Sequence, residues 1–300
     1  MLKNPHIRLL LGAALISFSP VYVALVNVSP TNSAFWRVAI GGIVLAAWVL
    51  IRGGTRWPRP RVTYTLIIAA VMFAGDLWFW HQSILFVGPG LATLLGNFQV
   101  FFMTLAGFVI LDQRPQLRQL LAIPLAVFGL ALIVGLDWNA LSEDYQLGIV
   151  FGLLTALTYA CYMLFFRQAQ AWSTAPNPHG LPTRELAIVS IATALIIAMI
   201  AGLEGESLAI PTWRDGAWLT AYAVLAHVLG WLLIASSLAH VPATLIGLSL
   251  LLQPCLSFIW DVLIFSRPIT AQECVGAAIA LAAIYLGSRQ SQAKPDASVG

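Results

Sequence analysis

Two ionisable residues lie deep inside apolar stretches of the sequence, and each is followed at helical spacing by an indole. Asp76 has Trp80 four residues on and Ser83 seven on, and His227 has Trp231 four residues on. Positions i, i+4 and i+7 share one face of a helix, so each stretch carries an ionisable group and an aromatic donor along a single stripe. Ionisable groups at membrane depth are expensive, and they mark a solute path or a proton relay. Further donors and acceptors stand on other apolar stretches: His81, Gln82, Asn97, Gln99, Tyr159, Tyr162, Ser237 and Gln253. Gln82 and Trp80 point to different sides of one helix, so not all of these face one cavity. Gln99 and Gln253, near the middle of roughly equivalent stretches, are the best placed of them. The chemistry these residue types support is recognition. Indole offers an apolar face and one N–H, while a carboxylate and amides can replace the water around a small polar solute. Motifs for bond-breaking are missing: there is no HExxH, GxSxG or paired-carboxylate cluster, and Cys161, Cys255 and Cys274 have neither CxxC nor metal spacing. No catalytic residue, metal or cofactor is expected.

The elements that hold these residues follow from composition. Of 300 residues, 60% are hydrophobic and only 9% charged, and mean hydropathy is +0.87. So few charges cannot solvate a globule of this size, which excludes cytosolic enzymes, secreted scaffolds and nucleic-acid binders and makes the lipid bilayer the solvent. Ten stretches are long enough to cross about 30 Å of hydrocarbon as helices. They run over 9–28, 34–51, 64–87, 91–111, 117–136, 147–166, 185–203, 216–238, 243–265 and 271–288. The first is too long for a secretory signal and lacks a clear cleavage site. With the N-terminus inside, Lys3, Arg8, Arg52, Arg56, Arg59, Arg61, Arg114, Arg118, Arg167, Arg184, Arg289 and Lys294 all fall on the cytoplasmic side, as basic short loops should. Arg214 and Arg267 fall outside with Asp137, Glu143, Asp144, Glu204, Glu206 and Asp215. A missed helix would invert every later loop, so the asymmetry favours an all-α polytopic membrane protein of ten transmembrane helices with both termini cytoplasmic. The polar tail 290–300 is expected to be disordered.

The chain also repeats itself. Asp76, Trp80 and Ala92-Thr93-Leu94 match His227, Trp231 and Ala243-Thr244-Leu245 at a constant offset of 151, and Gly12 and Tyr22 match Gly152 and Tyr162 at an offset of 140. Arg114-Pro115 resembles Arg267-Pro268 with a two-residue slip. Repeats over 1–138 and 139–289 hold five helices each. An odd number inverts the second copy, which is the construction of many secondary transporters, with the solute site between the halves near the midplane. Small residues such as Gly148-x-x-x-Gly152 and Gly41-Gly42 are expected to serve helix packing within each half.

These features resemble the drug/metabolite transporter superfamily, in particular its ten-helix type built from two EamA domains. The residues that carry the resemblance are Gly12 with Gly152, the run Phe35-Trp36-Arg37 at the start of the second stretch, and the Arg-Pro pairs at 114 and 267. Where members often have an acidic residue directly before that Arg, this chain has Asp112-Gln113-Arg114 and Ser266-Arg267. Among members it is similar to bacterial inner-membrane aromatic amino acid exporters. That resemblance implies a monomer that exports aromatic and other neutral amino acids by rocking two halves about a central cavity. The expected cavity residues are Asp76, Trp80, Gln99, Tyr159, His227, Trp231 and Gln253, with Asp76 or His227 carrying the proton if protons drive export.

Arg37 is the one Arg or Lys more than a residue inside a stretch, and a pair with Asp261, at similar depth, is expected. A single interior cation argues against nucleotide-sugar or sugar-phosphate cargo, which needs several. Export of flat organic cations is the main alternative, with Asp76 or Asp261 as counter-charge and aromatic rings as walls. An integral-membrane enzyme or a channel fits the residues less well. Pro20, Pro124 and Pro254 are positioned to bend the first, fifth and ninth stretches. Trp36, Trp48, Trp57, Trp138, Trp172 and Trp213 suit an interfacial belt, whereas Trp78, Trp80, Trp231 and Trp260 lie deeper.

Overall fold

A computed structural model describes residues 4–52, 57–111, 117–134, 141–173, 182–238, 250 and 252–288. The match at Ala243-Thr244-Leu245, the Asp112-Gln113-Arg114-Pro115 segment, Trp138 and the tail 290–300 lie outside the described residues. Within them the chain is helical without strands: α1 (Pro5–Ser17), α2 (Ser19–Leu25), α3 (Pro30–Ile51), α4 (Pro60–Gly96), α5 (Gln99–Leu111), α6 (Leu117–Val134), α7 (Glu143–Trp172), α8 (Thr183–Glu204), α9 (Trp213–Ala221), a π-helical segment (Tyr222–Gly230), α10 (Trp231–Leu238), α11 (Leu252–Phe265) and α12 (Ala271–Ser288). The helix starts are written locally. Proline opens α1, α3 and α4, where its missing N–H is harmless, and the side chains of Asn4, Ser29, Ser142 and Thr212 accept the first free amides of α1, α3, α7 and α9.

Six helical runs are long and apolar enough to cross a membrane: Pro5–Leu25, Pro30–Ile51, Pro60–Met103, Glu143–Trp172, Thr183–Glu204 and Trp213–Ile234. Leu120–Ile133, Leu252–Phe265 and Ala271–Leu286 are shorter apolar helices. By length and composition alone the described residues therefore do not reach ten. The run Pro60–Met103 holds two of the expected stretches, and its internal contacts show how. Trp80 and Gly96 would lie about 24 Å apart on a straight helix. Yet a Cβ on Gly96 would lie 3.9 Å from the Trp80 ring, and Ser83 and Leu95 both border Gly152. The chain doubles back at Gly88, whose φ of 82° and ψ of 164° belong to glycine alone. The Gly88-Pro89-Gly90 break falls between the expected stretches 64–87 and 91–111.

A second interruption divides the first crossing. Pro20 cannot donate to the preceding turn, so α1 ends at Ser17 and α2 begins at Ser19. α11 clasps this break: Ser257 Oγ donates to the Ser17 carbonyl (3.0 Å), Trp260 Nε1 donates to Ser17 Oγ (3.0 Å), and the Trp260 ring stacks on Phe18 at 4.6 Å. Pro124 lies inside α6 and Pro254 near the start of α11.

The main packing pairs are α4 with α7, α3 with α8, α6 with α12, and α1 with the π segment and α10. Small residues let these backbones approach, but between the two halves rather than within each as expected: Gly41, Gly42, Gly148 and Gly152 all meet residues of the other half. A Cβ on Gly148 would lie 2.5 Å from Phe86 Cβ, and one on Gly12 would lie 2.8 Å from the Gly230 carbonyl. Gly148→Ala is therefore expected to destabilise the protein by about 1–3 kcal/mol through overpacking, read as a lower Tm in detergent. Gly202→Ala, on α8 with nothing within 4 Å of the new methyl, is the control and should be neutral or stabilising.

Candidate functional site

The centre of the site is Arg37, about two turns into α3 and only 7% exposed. Its Nη1 donates to Tyr222 Oη at 2.8 Å. The guanidinium lies over the Tyr222 ring at 4.9 Å and near the Trp80 ring at 5.8 Å, within range of attraction by both ring faces. Tyr222 Oη is 3.5 Å from His81 Nε2, and His81 Nδ1 is 2.6 Å from the Leu77 carbonyl. A carbonyl only accepts, so in a neutral His81 the proton sits on Nδ1 and Nε2 is left to accept from Tyr222. The chain of donors then runs from Arg37 through Tyr222 and His81 to the backbone of α4.

Asp76 stands one turn before Trp80 on α4, 6% exposed, and makes no hydrogen bond among the described residues. The field of Arg37 reaches it, but the two make no ion pair within 4.0 Å. Tyr159 and Tyr162 on α7 feel both charges, with their rings 5.7 Å apart. Phe73 stacks on Tyr162 at 4.6 Å and lies parallel to the His227 ring at 6.1 Å. His227 is fully buried with Nε2 2.9 Å from Ser190 Oγ on α8, while its Nδ1 has no hydrogen-bond partner among the described residues. Its ring fits only because residue 41 lacks a side chain: a Cβ there would lie 2.4 Å from His227 Cδ2.

The π segment explains how Tyr222 and His227 both reach this region. Five residues apart on an α-helix they would diverge by about 140°, but the wider i→i+5 turn brings them toward one side. Of the residues expected to line a cavity, the structure gathers Asp76, Trp80, Tyr159 and His227 around Arg37. Trp231 is half-buried against the neighbouring apolar cluster of Phe73, Tyr162 and Val228. Gln99, at the start of α5, has a buried Oε1 without a hydrogen-bond partner among the described residues. Gln253 is half-buried near the start of α11. Neither glutamine hydrogen-bonds to the Arg37 group. The sequence reading left out Tyr222 and Ser190, and it counted His81 only as a neutral donor. The available signal was the Tyr222–His227 spacing of five, which makes sense only on a π turn.

The expected Arg37–Asp261 pair is not made. Asp261, 3% exposed on α11, accepts from Gly90 N and from Arg267 Nη1, each at 3.2 Å. Arg267 continues to Glu273 Oε1 at 3.2 Å, and Glu273 accepts the Thr270 amide at 2.7 Å. The physical reason is local: the break at Gly88 frees backbone amides of α4, and a buried carboxylate satisfies one of them. Equal depth did not imply contact. Three acidic residues assigned to external loops are likewise engaged. Glu204 accepts from Thr31 Oγ1 (2.7 Å) and Trp78 Nε1 (2.8 Å), Asp215 accepts the Asn27 amide (3.0 Å), and Glu206 accepts from Ser29 Oγ. Segment 27–32 is thereby tied to segment 204–215. Trp78, expected to lie deep, reaches the C-terminal end of α8.

Comparison with known proteins places this geometry. The EamA-like transporter family profile matches twice, over residues 5–135 and 146–289. A probable amino-acid metabolite efflux pump of Salmonella typhimurium (strain LT2) is 25% identical over 236 residues, covering 76% of this chain and 78% of that protein. The protein of the same name from Escherichia coli (strain K12) is 24% identical over 283 residues, covering 90% and 89%. One crystal structure superposes with a TM-score of 0.66 at 16% identity, covering 94% of this chain and 96% of its own, a likeness of fold. The apolar helical runs and this family make the chain a multi-pass membrane protein with a small-molecule substrate. It belongs to the EamA-like transporter family of the drug/metabolite transporter superfamily.

Proposed function

We propose that this protein is a bacterial inner-membrane exporter of aromatic and other neutral amino acids, working as a monomer by alternating access. The observation that carries the reading is the buried polar and aromatic cluster of Arg37, Asp76, Trp80, Tyr159, Tyr222 and His227. It draws α3 and α4 from one family-matched segment together with α7 and the π segment from the other. The names of the two efflux pumps support amino-acid cargo.

The reading includes ten crossings in two inverted halves, 1–138 and 139–289, with both termini in the cytoplasm. The hairpin at Gly88 supports two crossings within Pro60–Met103. The packing pairs also come in matched sets. α4 lies on α7 as the π segment and α10 lie on α1, and α4 lies on α8 as the π segment lies on α3, while α3·α8 and α6·α12 join equivalent members. A two-fold relation exchanging the halves produces that pattern. Thiols introduced as Leu2→Cys and Ser298→Cys are expected to label from the same, cytoplasmic face; opposite faces would overturn the topology.

The binding residues in this reading are Asp76, Trp80, Gln99, Tyr159, His227, Trp231 and Gln253. A proteoliposome panel of aromatic, aliphatic and charged amino acids and flat organic cations, with and without a pH gradient, tests it. Saturable phenylalanine flux is the expected result. Flux of organic cations alone would replace the reading with that of a cation exporter, and the pH-gradient arm separates proton coupling at Asp76 or His227 from facilitated diffusion.

A further inference from the structure

We propose, building on the amino-acid exporter reading, that Arg37 and Asp76 are the two poles of a zwitterion site. Arg37 anchors the α-carboxylate and Asp76 the α-ammonium, and the substrate side chain lies against Trp80 and Tyr159. The first support is what these charges lack. Both side chains are more than nine-tenths buried. Among the described residues, Arg37 makes one hydrogen bond, through Nη1 to a neutral hydroxyl, its buried Nε has no partner, and Asp76 makes none. Two opposite charges in a low-dielectric interior gain most from a direct, hydrogen-bonded pair, and leaving both unpaired carries the full desolvation penalty. Asp76 stands one turn before Trp80, whose ring lies 5.8 Å from the Arg37 guanidinium, yet the two charges make no ion pair, an arrangement that a ligand bearing both complementary charges completes.

Geometry supplies the second support. The hydroxyl of Tyr222 occupies Nη1, so the Nε–Nη2 edge of the guanidinium remains. That edge offers two parallel N–H donors matched to the two oxygens of a carboxylate. Tyr222 is itself fixed by His81 and by the Tyr22 ring at 5.8 Å, which makes it a positioning residue for Arg37. Among the described residues, the other titratable side chains gathered around the pair are Tyr159, Tyr162, Tyr222, His81 and His227. None of these supplies a second carboxylate, so one ammonium and one carboxylate is the charge complement that fits. An amine alone leaves Arg37 unpaired, and an acid alone leaves Asp76 unpaired.

The test is a binding series on the purified full-length protein with phenylalanine, phenylalanine methyl ester, phenethylamine and 3-phenylpropionate. Wild type is expected to bind phenylalanine on the order of 30-fold more tightly than each ligand that lacks one charge, from the strength of one charge-assisted contact. Arg37→Gln should weaken phenylalanine and 3-phenylpropionate by a similar factor and phenethylamine far less. Asp76→Asn should weaken phenylalanine and phenethylamine and spare 3-phenylpropionate. Equal affinity of wild type for phenylalanine and its methyl ester overturns the proposal without any variant, so a misfolded Arg37→Gln does not shield it. Variants that lose all ligands alike, or lose none, overturn it too while leaving the exporter reading intact, provided wild type carries phenylalanine. A wild type that binds no neutral amino acid removes the exporter reading, and the zwitterion site falls with it.

Discussion

Trp80→Ala is expected to cut initial phenylalanine uptake into proteoliposomes by about ten-fold or more. The indole lies 5.8 Å from Arg37, meets His81 edge-on at 5.1 Å, and backs onto Gly96 across the hairpin. It thus lies beside the cation, the imidazole and the returning limb of the hairpin together. Losing an aromatic wall forfeits about 1.5–3 kcal/mol of apolar contact with a bound ring, and each 1.4 kcal/mol is about a factor of ten. Because Trp80 is also 9% exposed and packed in the core, truncation to Ala lowers stability as well. Trp80→Phe separates the two effects, since it keeps an apolar ring and should retain most of the flux. Gln99→Ala should reduce uptake less. Unchanged uptake after substitution at each of Asp76, Trp80, Gln99, Tyr159, His227, Trp231 and Gln253 would remove the site.

Gly88→Val is expected to be the most damaging single change to folding. The position requires a positive φ that a β-branched residue adopts only with strain of about 1–3 kcal/mol or more. The new Cβ would also lie 3.3 Å from Asp261 Oδ2, pressing on the carboxylate that accepts the Gly90 amide and Arg267. Losing that acceptor adds about 1–3 kcal/mol for each buried donor left unsatisfied. The measurement is the yield of monodisperse protein and its Tm in detergent, and Gly205→Ala serves as the comparison. Gly205 also has a positive φ, 70°, yet nothing lies within 4 Å of a new methyl, so only the backbone strain should appear there. Equal losses at the two positions would show that Asp261 contributes nothing to the hairpin.

Much of the fold was legible because lipid imposes long apolar runs and their interruptions are spelled in few residue types. Gly88-Pro89-Gly90 falls in the gap between two expected stretches, Pro20 marked the break between α1 and α2, and Gly148 and Gly152 read as packing residues, though their partner is α4 and not a helix of their own half. The stripe carrying Asp76 and Trp80 was legible too, since periodicity alone puts them on one face. What periodicity could not supply was which faces meet. Arg37 and Asp261 share a depth, but Tyr222 takes one and Arg267 with the Gly90 amide takes the other. Tyr222 escaped notice because an α-helical projection turns it away from His227, and only the π turn brings the two together. Trp78 looked deep because nothing in its own stretch announces Glu204 on α8. Glycine 41 read as a packing residue, and it is one, but its partner is the imidazole of His227, a contact 186 positions along the chain.

The account rests on a carrier whose two halves take turns exposing one site to each side of the membrane, and counterflow reads that directly. Proteoliposomes preloaded with unlabelled phenylalanine are expected to accumulate external labelled phenylalanine transiently above equilibrium, with a saturable rate, and Trp80→Ala should abolish the overshoot. Labelled phenylalanine that enters at a rate linear in concentration and indifferent to preloading would contradict an alternating site, because a passive pore conducts without exchange.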